Sequence, residues 1–218
     1  MTLTQKSISP LLPLLAAVLV GCASAPAGQN LDALTADIVR VSFRDQGIVK
    51  VDRLQQDDAN RACSAADVAG KPLDEQTARA IEAASLKTVK PPADGQYLGE
   101  WQQGEKIAQS GRGLTWTDSA TEPNGGNCYN CHQIGKAELS FGTLGPSLYQ
   151  YGKLRGISDP ASPQARAIVD YTWAKIWNPR SFGACSSMPR FGHNAILTES
   201  QIKHVMALLL DPQSAVNQ

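Results

Sequence analysis

The chain has 218 residues, enough for one or two small domains but too few for a large architecture such as an eight-stranded barrel. Twenty Lys and Arg balance twenty Asp and Glu, and the absence of a basic excess argues against a nucleic-acid partner. Hydrophobic residues make up 42% of the chain, which excludes wholesale disorder because a sizeable core can be buried.

The first 22 residues have the features of a secretory signal peptide. Lys6 precedes an apolar run from Ile8 to Val20 that is short for a membrane span. Leu19-Val20-Gly21-Cys22 resembles a bacterial lipobox, which would make Cys22 the acylated first residue. Ala23-Ser24-Ala25 instead fits ordinary signal peptidase, which would discard Cys22. Both patterns predict a periplasmic protein, and the lipobox adds a lipid anchor in the membrane.

Two segments follow the signal peptide. Residues 23–30 are small and polar and include Pro and Gly, which predicts a tether. Residues 31–94 are predicted to form a small N-terminal extension. We expect in it a short β-like run from Ile48 to Val51 and two helices, at about Leu54 to Ser64 and Leu73 to Leu86.

A C-terminal domain is expected over residues 95–212, after a cluster of breaker residues that ends at Gly95. Its apolar periodicity predicts helices at about Tyr97 to Ser110 and Gln164 to Trp177, and a last helix. The last helix has clear ends, because Thr198-Glu199-Ser200-Gln201 fits a capping box and Asp211-Pro212 a stop. With no sustained strand alternation, the predicted fold class is mainly α.

The pentapeptide Cys128-Tyr129-Asn130-Cys131-His132 matches the C-x-x-C-H signal for attachment of haem c. Two thiols on one turn can each form a thioether with a haem vinyl group, and His132 can offer a ring nitrogen to the iron. A structural zinc site normally uses two close pairs of ligands, and a thioredoxin-like motif needs a βαβ context. A disulfide between Cys128 and Cys131 would close a very tight loop. The motif therefore predicts one covalently bound haem c.

Four downstream residues are candidates for the second axial ligand of the iron: Met188, Met206, His193 and His204. Met206 falls on the apolar face of the last helix, where a methionine more often fills the core, and His204 lies beside that face. Met188 lies in a loop between two helices and is preferred, with His193 as the alternative. A thioether ligand raises the reduction potential and leaves no open coordination position, which favours one-electron transfer.

Residues that support the iron ligands are less sharply defined. The Gly/Pro-rich turn from Gly142 to Leu148 is expected to offer a backbone carbonyl to His132, with Pro146 as one candidate. Arg180 and Arg190 have two open interpretations, as partners of haem propionates or as solvated surface cations.

The two remaining cysteines, Cys63 and Cys185, belong to no local motif. In an oxidising compartment a disulfide between them is preferred, and a free reactive thiol is the alternative. Such a bridge would tie the N-terminal extension to the loop that carries Met188, three residues beyond Cys185.

Four blocks of sequence between about Tyr97 and Leu210, somewhat more than half of the chain, match the pattern of one family. The blocks are Gly126 to His132, Gly145 to Leu148, Lys175 to Pro179 and Met188 to Gly192. They resemble SoxX, the monohaem cytochrome subunit of the SoxAX complex. The first two blocks occur in most class I cytochromes c, and the last two are more specific.

The resemblance implies a class I cytochrome c fold in which the first and last helices of the domain cross. Gly104 and Ile107 would lie at that crossing. His132 and Met188 would ligate the iron, and the carbonyl of Pro146 would hold His132.

The resemblance also implies partners and an activity. A SoxA-type cytochrome subunit would complete a heterodimeric L-cysteine S-thiosulfotransferase, which couples thiosulfate oxidatively to a cysteine of a SoxYZ-type carrier protein. This chain would hold no catalytic residue and would pass electrons to a downstream acceptor. Residues 31–94 and the lipobox are departures from the family pattern. A freestanding periplasmic monohaem cytochrome c that shuttles electrons to an oxidase is the alternative, and a ligand-binding or redox-sensing haem protein is a third.

Overall fold

The computed structural model describes residues 30–218. The predicted signal peptide, the lipidation candidate Cys22 and residues 23–29 of the predicted tether lie outside this range. Seven α-helices and no β-strand occur among the described residues, which confirms the prediction of a mainly α protein. The helices are α1 (Leu31–Ser42), α2 (Asp58–Val68), α3 (Glu75–Leu86), α4 (Trp101–Gln109), α5 (Tyr151–Leu154), α6 (Arg166–Trp177) and α7 (Glu199–Leu210).

The described residues divide into two units, residues 30–44 and Asp45–Gln218. Helix α1 belongs to the first unit and has no buried residue. It begins after Asn30, whose side chain accepts a hydrogen bond from the Ala33 backbone N–H at 3.0 Å. The sequence analysis missed this helix, although apolar residues recur along it at helical spacing: Leu31, Leu34, Ile38 and Val41.

Helices α2 and α3 open the second unit, and aspartate caps set where they begin. Asp57 accepts a hydrogen bond from the Asn60 N–H at 2.7 Å, and Asp74 accepts one from the Thr77 N–H at 2.9 Å. Both helices therefore start later than predicted. Instead of the expected β-like run from Ile48 to Val51, the chain forms a tight turn closed by an isolated antiparallel bridge between Gln46 and Val49, and the 3₁₀-helix Val51–Leu54 follows.

The core of the second unit is built around α7, which has seven buried residues. The predicted capping box is confirmed, because Thr198 and Gln201 each accept a hydrogen bond from the backbone N–H of the other, at 3.2 and 3.0 Å. Helix α4 packs directly on α7. A Cβ atom on Gly104 would lie 2.1 Å from the carbonyl oxygen of His204, so only glycine permits this approach.

Helix α6 links the core to the segment that follows α3. Trp173 is 1% exposed, and its Nε1–H donates to the Lys90 carbonyl at 2.8 Å. Asn178, just after α6, donates to Thr88 Oγ1 at 3.0 Å. None of the helices over residues 30–218 is long and apolar enough to cross a membrane.

Candidate functional site

A cavity of about 550 Å³ lies within the second unit, a volume in the range of cofactor sites. It brings together all the residues that the sequence analysis assigned to iron ligation and haem attachment: Cys128, Cys131, His132, Pro146 and Met188. Apolar side chains form much of the remaining wall, among them Ala108, Ile134, Leu148, Ile176, Val205 and Leu208. The cavity is therefore apolar, with a small set of sulfur and nitrogen donors at its edge.

The two cysteines of the C-x-x-C-H motif lie on one tight turn. Cys128–Asn130 form a 3₁₀-helix, and the N–H groups of Cys131 and His132 both donate to the Cys128 carbonyl, at 3.1 and 2.9 Å. Both thiols are free rather than bonded to each other. Burial raises the pKa of the Cys128 thiol to about 12, so this sulfur carries its proton at neutral pH.

Tyr129, between the two cysteines, ties the turn to the rest of the core. Its hydroxyl donates to Glu105 of α4 at 2.9 Å and accepts from the Gly135 N–H at 3.0 Å. Burial, together with the hydrogen bond to Glu105, raises the pKa of Tyr129 above its ordinary value, which keeps the phenol protonated as a donor. The sequence analysis did not identify this pair, because no local pattern links Glu105 to Tyr129.

One backbone carbonyl orients the imidazole ring of His132. Its Nδ1 lies 2.7 Å from the carbonyl oxygen of Pro146. A carbonyl only accepts, so Nδ1 carries the proton and Nε2 keeps a lone pair for a metal. Gly145 passes against the ring, and a Cβ atom there would lie 2.2 Å from His132 Cε1, so the close approach requires glycine.

The structure separates the four candidates for the second axial ligand. Met188 is partly buried and borders the cavity. Met206 is fully buried in the core. His204 Nδ1 accepts a hydrogen bond at 2.8 Å from the backbone at the start of α4. His193 lines a different groove, where burial and nearby Arg190 lower its pKa. Of the four, Met188 alone contributes to the wall that includes the motif.

Cys63 and Cys185 are bonded to each other, with their Cα atoms 5.6 Å apart. The bridge joins α2 to the loop between α6 and α7. Cys185 precedes Met188 by three residues, so the disulfide anchors the chain close to the side chain that borders the cavity.

Arg180 and Arg190 lie away from the cavity wall and share one carboxylate. Arg180 Nη1 is 3.0 Å from both oxygens of Asp57, and Arg190 Nη1 is 2.9 Å from one of them. Burial alone would raise the pKa of Asp57, but the Asn60 N–H and the two guanidinium groups lower it below its ordinary value. Neither arginine is free in solvent, and neither is among the residues that line the cavity.

Two other cations border the cavity and were missed by the sequence analysis. Arg155 lies over the ring of Tyr151, with its guanidinium carbon 3.6 Å from the ring centroid. Lys175 lies on α6, and burial lowers its pKa. Lys175 begins the block from Lys175 to Pro179, so the sequence pattern could have identified it as a candidate cavity residue. Both side chains suit the carboxylate groups of a bound ligand.

No protein-family model matches the chain. The chain is similar to an uncharacterized lipoprotein of Aquifex aeolicus (strain VF5), with 36% identity over 133 residues. The alignment covers 60% of this chain and 58% of the relative, so the chain spans less than two thirds of the length of the curated relative that it matches. The name of that relative describes a lipoprotein and states no activity.

Proposed function

We propose that this chain is a haem c electron-transfer protein with a class I cytochrome c fold. We further propose that it is the monohaem subunit of a SoxAX-type L-cysteine S-thiosulfotransferase. The observation that carries the haem proposal is one cavity bordered by Cys128, Cys131, His132 and Met188. The donor set fits haem c, because the two thiols are unbonded and the proton on His132 Nδ1 leaves Nε2 available.

The turn at residues 128–131 is suited to covalent attachment. Cys128 and Cys131 would each add their S–H across one vinyl group. The sulfur bonds to one vinyl carbon and the proton ends on the other, so no electrons are gained or lost. The Tyr129 contact with Glu105 holds the turn in place while both sulfurs react.

The two side chains that would ligate the iron, His132 and Met188, play different parts. When bound, the haem iron supplies one-electron transfer at a potential that its axial ligands tune. Pro146 orients His132 through the Nδ1 hydrogen bond. Met188 would supply a thioether to the iron, a ligand that raises the reduction potential. Arg155 and Lys175 place positive charge at the cavity, which suits the two haem propionates.

The packing of α4 on α7 supports the class I cytochrome c fold. The resemblance implies that the first and last helices of the domain cross at Gly104, and a Cβ atom on Gly104 would lie 2.1 Å from the His204 carbonyl oxygen of α7. The His132 to Pro146 contact supports the same fold.

The partner and substrate assignments depend on the resemblance to SoxX. A SoxA-type subunit would hold the haem at which thiosulfate is coupled to the cysteine of a SoxYZ-type carrier protein. This chain would receive the electrons and pass them to a downstream acceptor. The chain would then belong to an enzyme without holding a catalytic residue itself.

The proposed location is the periplasm, with a lipid anchor on Cys22. Two observations support the anchor: the lipobox pattern that ends at Cys22, and the similarity to a lipoprotein of Aquifex aeolicus. An anchor would hold the electron-transfer subunit near a membrane-bound acceptor.

Haem attachment is tested by exporting the full chain in a host that matures c-type cytochromes. Intact-mass analysis and haem staining after denaturation should show one covalently bound haem. Cys128→Ala/Cys131→Ala should lose it completely, whereas Asn130→Ala, an exposed position in the same turn, should retain it. A folded wild-type protein without covalent haem would overturn the proposal.

The assignment to a thiosulfotransferase is tested by native purification from the source organism. A second haem-bearing chain at fixed stoichiometry, with thiosulfate-dependent reduction of this haem in the complex, would support it. Recovery of a lone monohaem protein would favour the freestanding carrier and remove thiosulfate from the proposal.

A further inference from the structure

Met188 lies in a closed loop between α6 and α7, called here the Met188 loop (residues 178–192). The loop returns to its starting point, because the N–H groups of Gly192 and His193 both donate to the Trp177 carbonyl, at 3.1 and 3.0 Å. Met188 itself has a weak local restraint, a hydrogen bond of 3.3 Å from its N–H to Ser186 Oγ. Other contacts must therefore hold the middle of the loop.

Two attachments to α2 flank Met188. Cys185, three residues before it, is bonded to Cys63 in α2. Arg190, two residues after it, pairs with Asp57 at the start of α2 at 2.9 Å. The first one and a half turns of α2 thus hold the Met188 loop on both sides of the methionine.

Asp57 also holds the start of the same loop. Arg180 is 8% exposed, and its guanidinium donates to both oxygens of Asp57 and to Asn60 Oδ1. Removing the Asp57 charge would leave the buried guanidinium of Arg180 without a counter-charge and would release Arg190. A single carboxylate therefore fixes two points of the loop.

We propose that Asp57 is a positioning residue for the iron ligand Met188, acting through Arg190 and Arg180. The inference rests on the proposed function, since it requires a bound haem with Met188 as a ligand. It also assigns a role to α2 within the N-terminal extension: keeping the thioether at the cavity. Without the Asp57 charge, the thioether should leave the iron more often and open it to other ligands.

The test uses Asp57→Asn in the full-length holoprotein. Asparagine also caps helices well, so this variant removes the charge and keeps the cap of α2. We expect the ferric protein to take up imidazole at least about tenfold faster, because a factor of ten corresponds to the loss of a single charge-assisted hydrogen bond and the variant weakens the contacts of both Arg180 and Arg190. The charge-transfer band that marks a thioether ligand of ferric haem should weaken in parallel.

Asp58→Asn is the matched control. Asp58 follows Asp57 in the chain and is the first residue of α2. It is exposed and pairs with Arg61 of the same helix. This variant should take up imidazole at the wild-type rate. Equal acceleration in both variants would contradict a role specific to Asp57.

Arg190→Gln provides an independent variant that leaves Asp57, Arg180 and the cap of α2 unchanged. It should accelerate imidazole uptake as well, and the double variant with Asp57→Asn should gain less than the product of the two single effects, because both remove the same contact. Wild-type uptake in both single variants, with fast uptake in Met188→Ala, would overturn this inference and leave the proposed function standing. If Met188→Ala also takes up imidazole at the wild-type rate, Met188 is not a ligand of the iron and this inference fails with it, whereas covalent haem attachment through Cys128 and Cys131 is tested separately.

Discussion

The two cysteine pairs of this chain are brought together in different ways. Cys128 and Cys131 share one 3₁₀ turn, carry free thiols and border a cavity. Cys63 and Cys185 are 122 residues apart and are bonded to each other. Backbone hydrogen bonds within five residues place the first pair, whereas packing of the whole unit places the second.

The difference extends to the two proposed iron ligands. His132 belongs to the local turn and is oriented by one carbonyl close along the chain. Met188 is held from both sides by α2, through Cys185 and Arg190. Substitutions in the turn that carries Cys128, Cys131 and His132 should therefore prevent haem attachment. Substitutions in the long-range contacts of α2 should instead weaken the Met188 ligation or lower the stability of the fold.

The largest expected effect comes from Met188→Ala. Loss of the thioether should lower the reduction potential by roughly 0.1–0.3 V, within the ~0.8 V range that axial ligands span. The ferrous protein should also bind carbon monoxide rapidly. Redox titration and carbon monoxide binding measure both effects. His193→Ala is the control, and an unchanged potential in Met188→Ala would exclude Met188 as a ligand.

Removal of the long-range bridge should be the next largest effect. Cys63→Ala/Cys185→Ala should lower the free energy of unfolding by about 2–5 kcal/mol, because the bridge closes a long loop in the unfolded chain. Chemical denaturation monitored by far-ultraviolet circular dichroism measures it. Covalent haem should be retained, which separates this region from the local turn. An unchanged denaturation midpoint would contradict the prediction.

A smaller effect is expected from Tyr129→Phe, which tests the tertiary support of the local turn. The variant leaves the Gly135 N–H without its acceptor and removes one of the two donors to Glu105 Oε1, the other being Gln109, at a cost of about 1–2 kcal/mol in the free energy of unfolding. Urea denaturation of the holoprotein measures this cost, with Tyr149→Phe as the control. Equal stability of the two variants would show that the hydrogen bonds of the Tyr129 hydroxyl do not stabilise the turn.

The smallest effect concerns acid stability. The pKa of Asp57 is lower in the fold than its ordinary value of 3.8. Its contribution to stability is therefore complete above about pH 5, and it is lost as the pH falls through the folded pKa. Asp57→Asn should show a shallower loss of stability between about pH 5 and pH 3 than wild type. Parallel curves over that range would argue against the ion pairs with Arg180 and Arg190.

Prediction from sequence succeeded where the signal is local. The capping box at Thr198 and Gln201 involves residues three apart, and the C-x-x-C-H turn is equally compact. The prediction for α2 was inaccurate, because it placed the start of the helix at about Leu54. The helix begins at Asp58, where the side chain of Asp57 caps it. The contact of Asp57 with Arg180 crosses 123 residues, and no periodicity or spacing in the chain indicates such a pair.

The sequence by itself determined the helical segments with clear caps and the turn that carries Cys128, Cys131 and His132. These features depend on torsion preferences and hydrogen bonds between near neighbours. Only the tertiary structure decided that, of the four candidates for the second ligand, Met188 borders the cavity and Met206, His193 and His204 do not. Which side chain reaches a cavity depends on the packing of helices that are distant in the chain, and the same packing brings Asp57 to the Met188 loop.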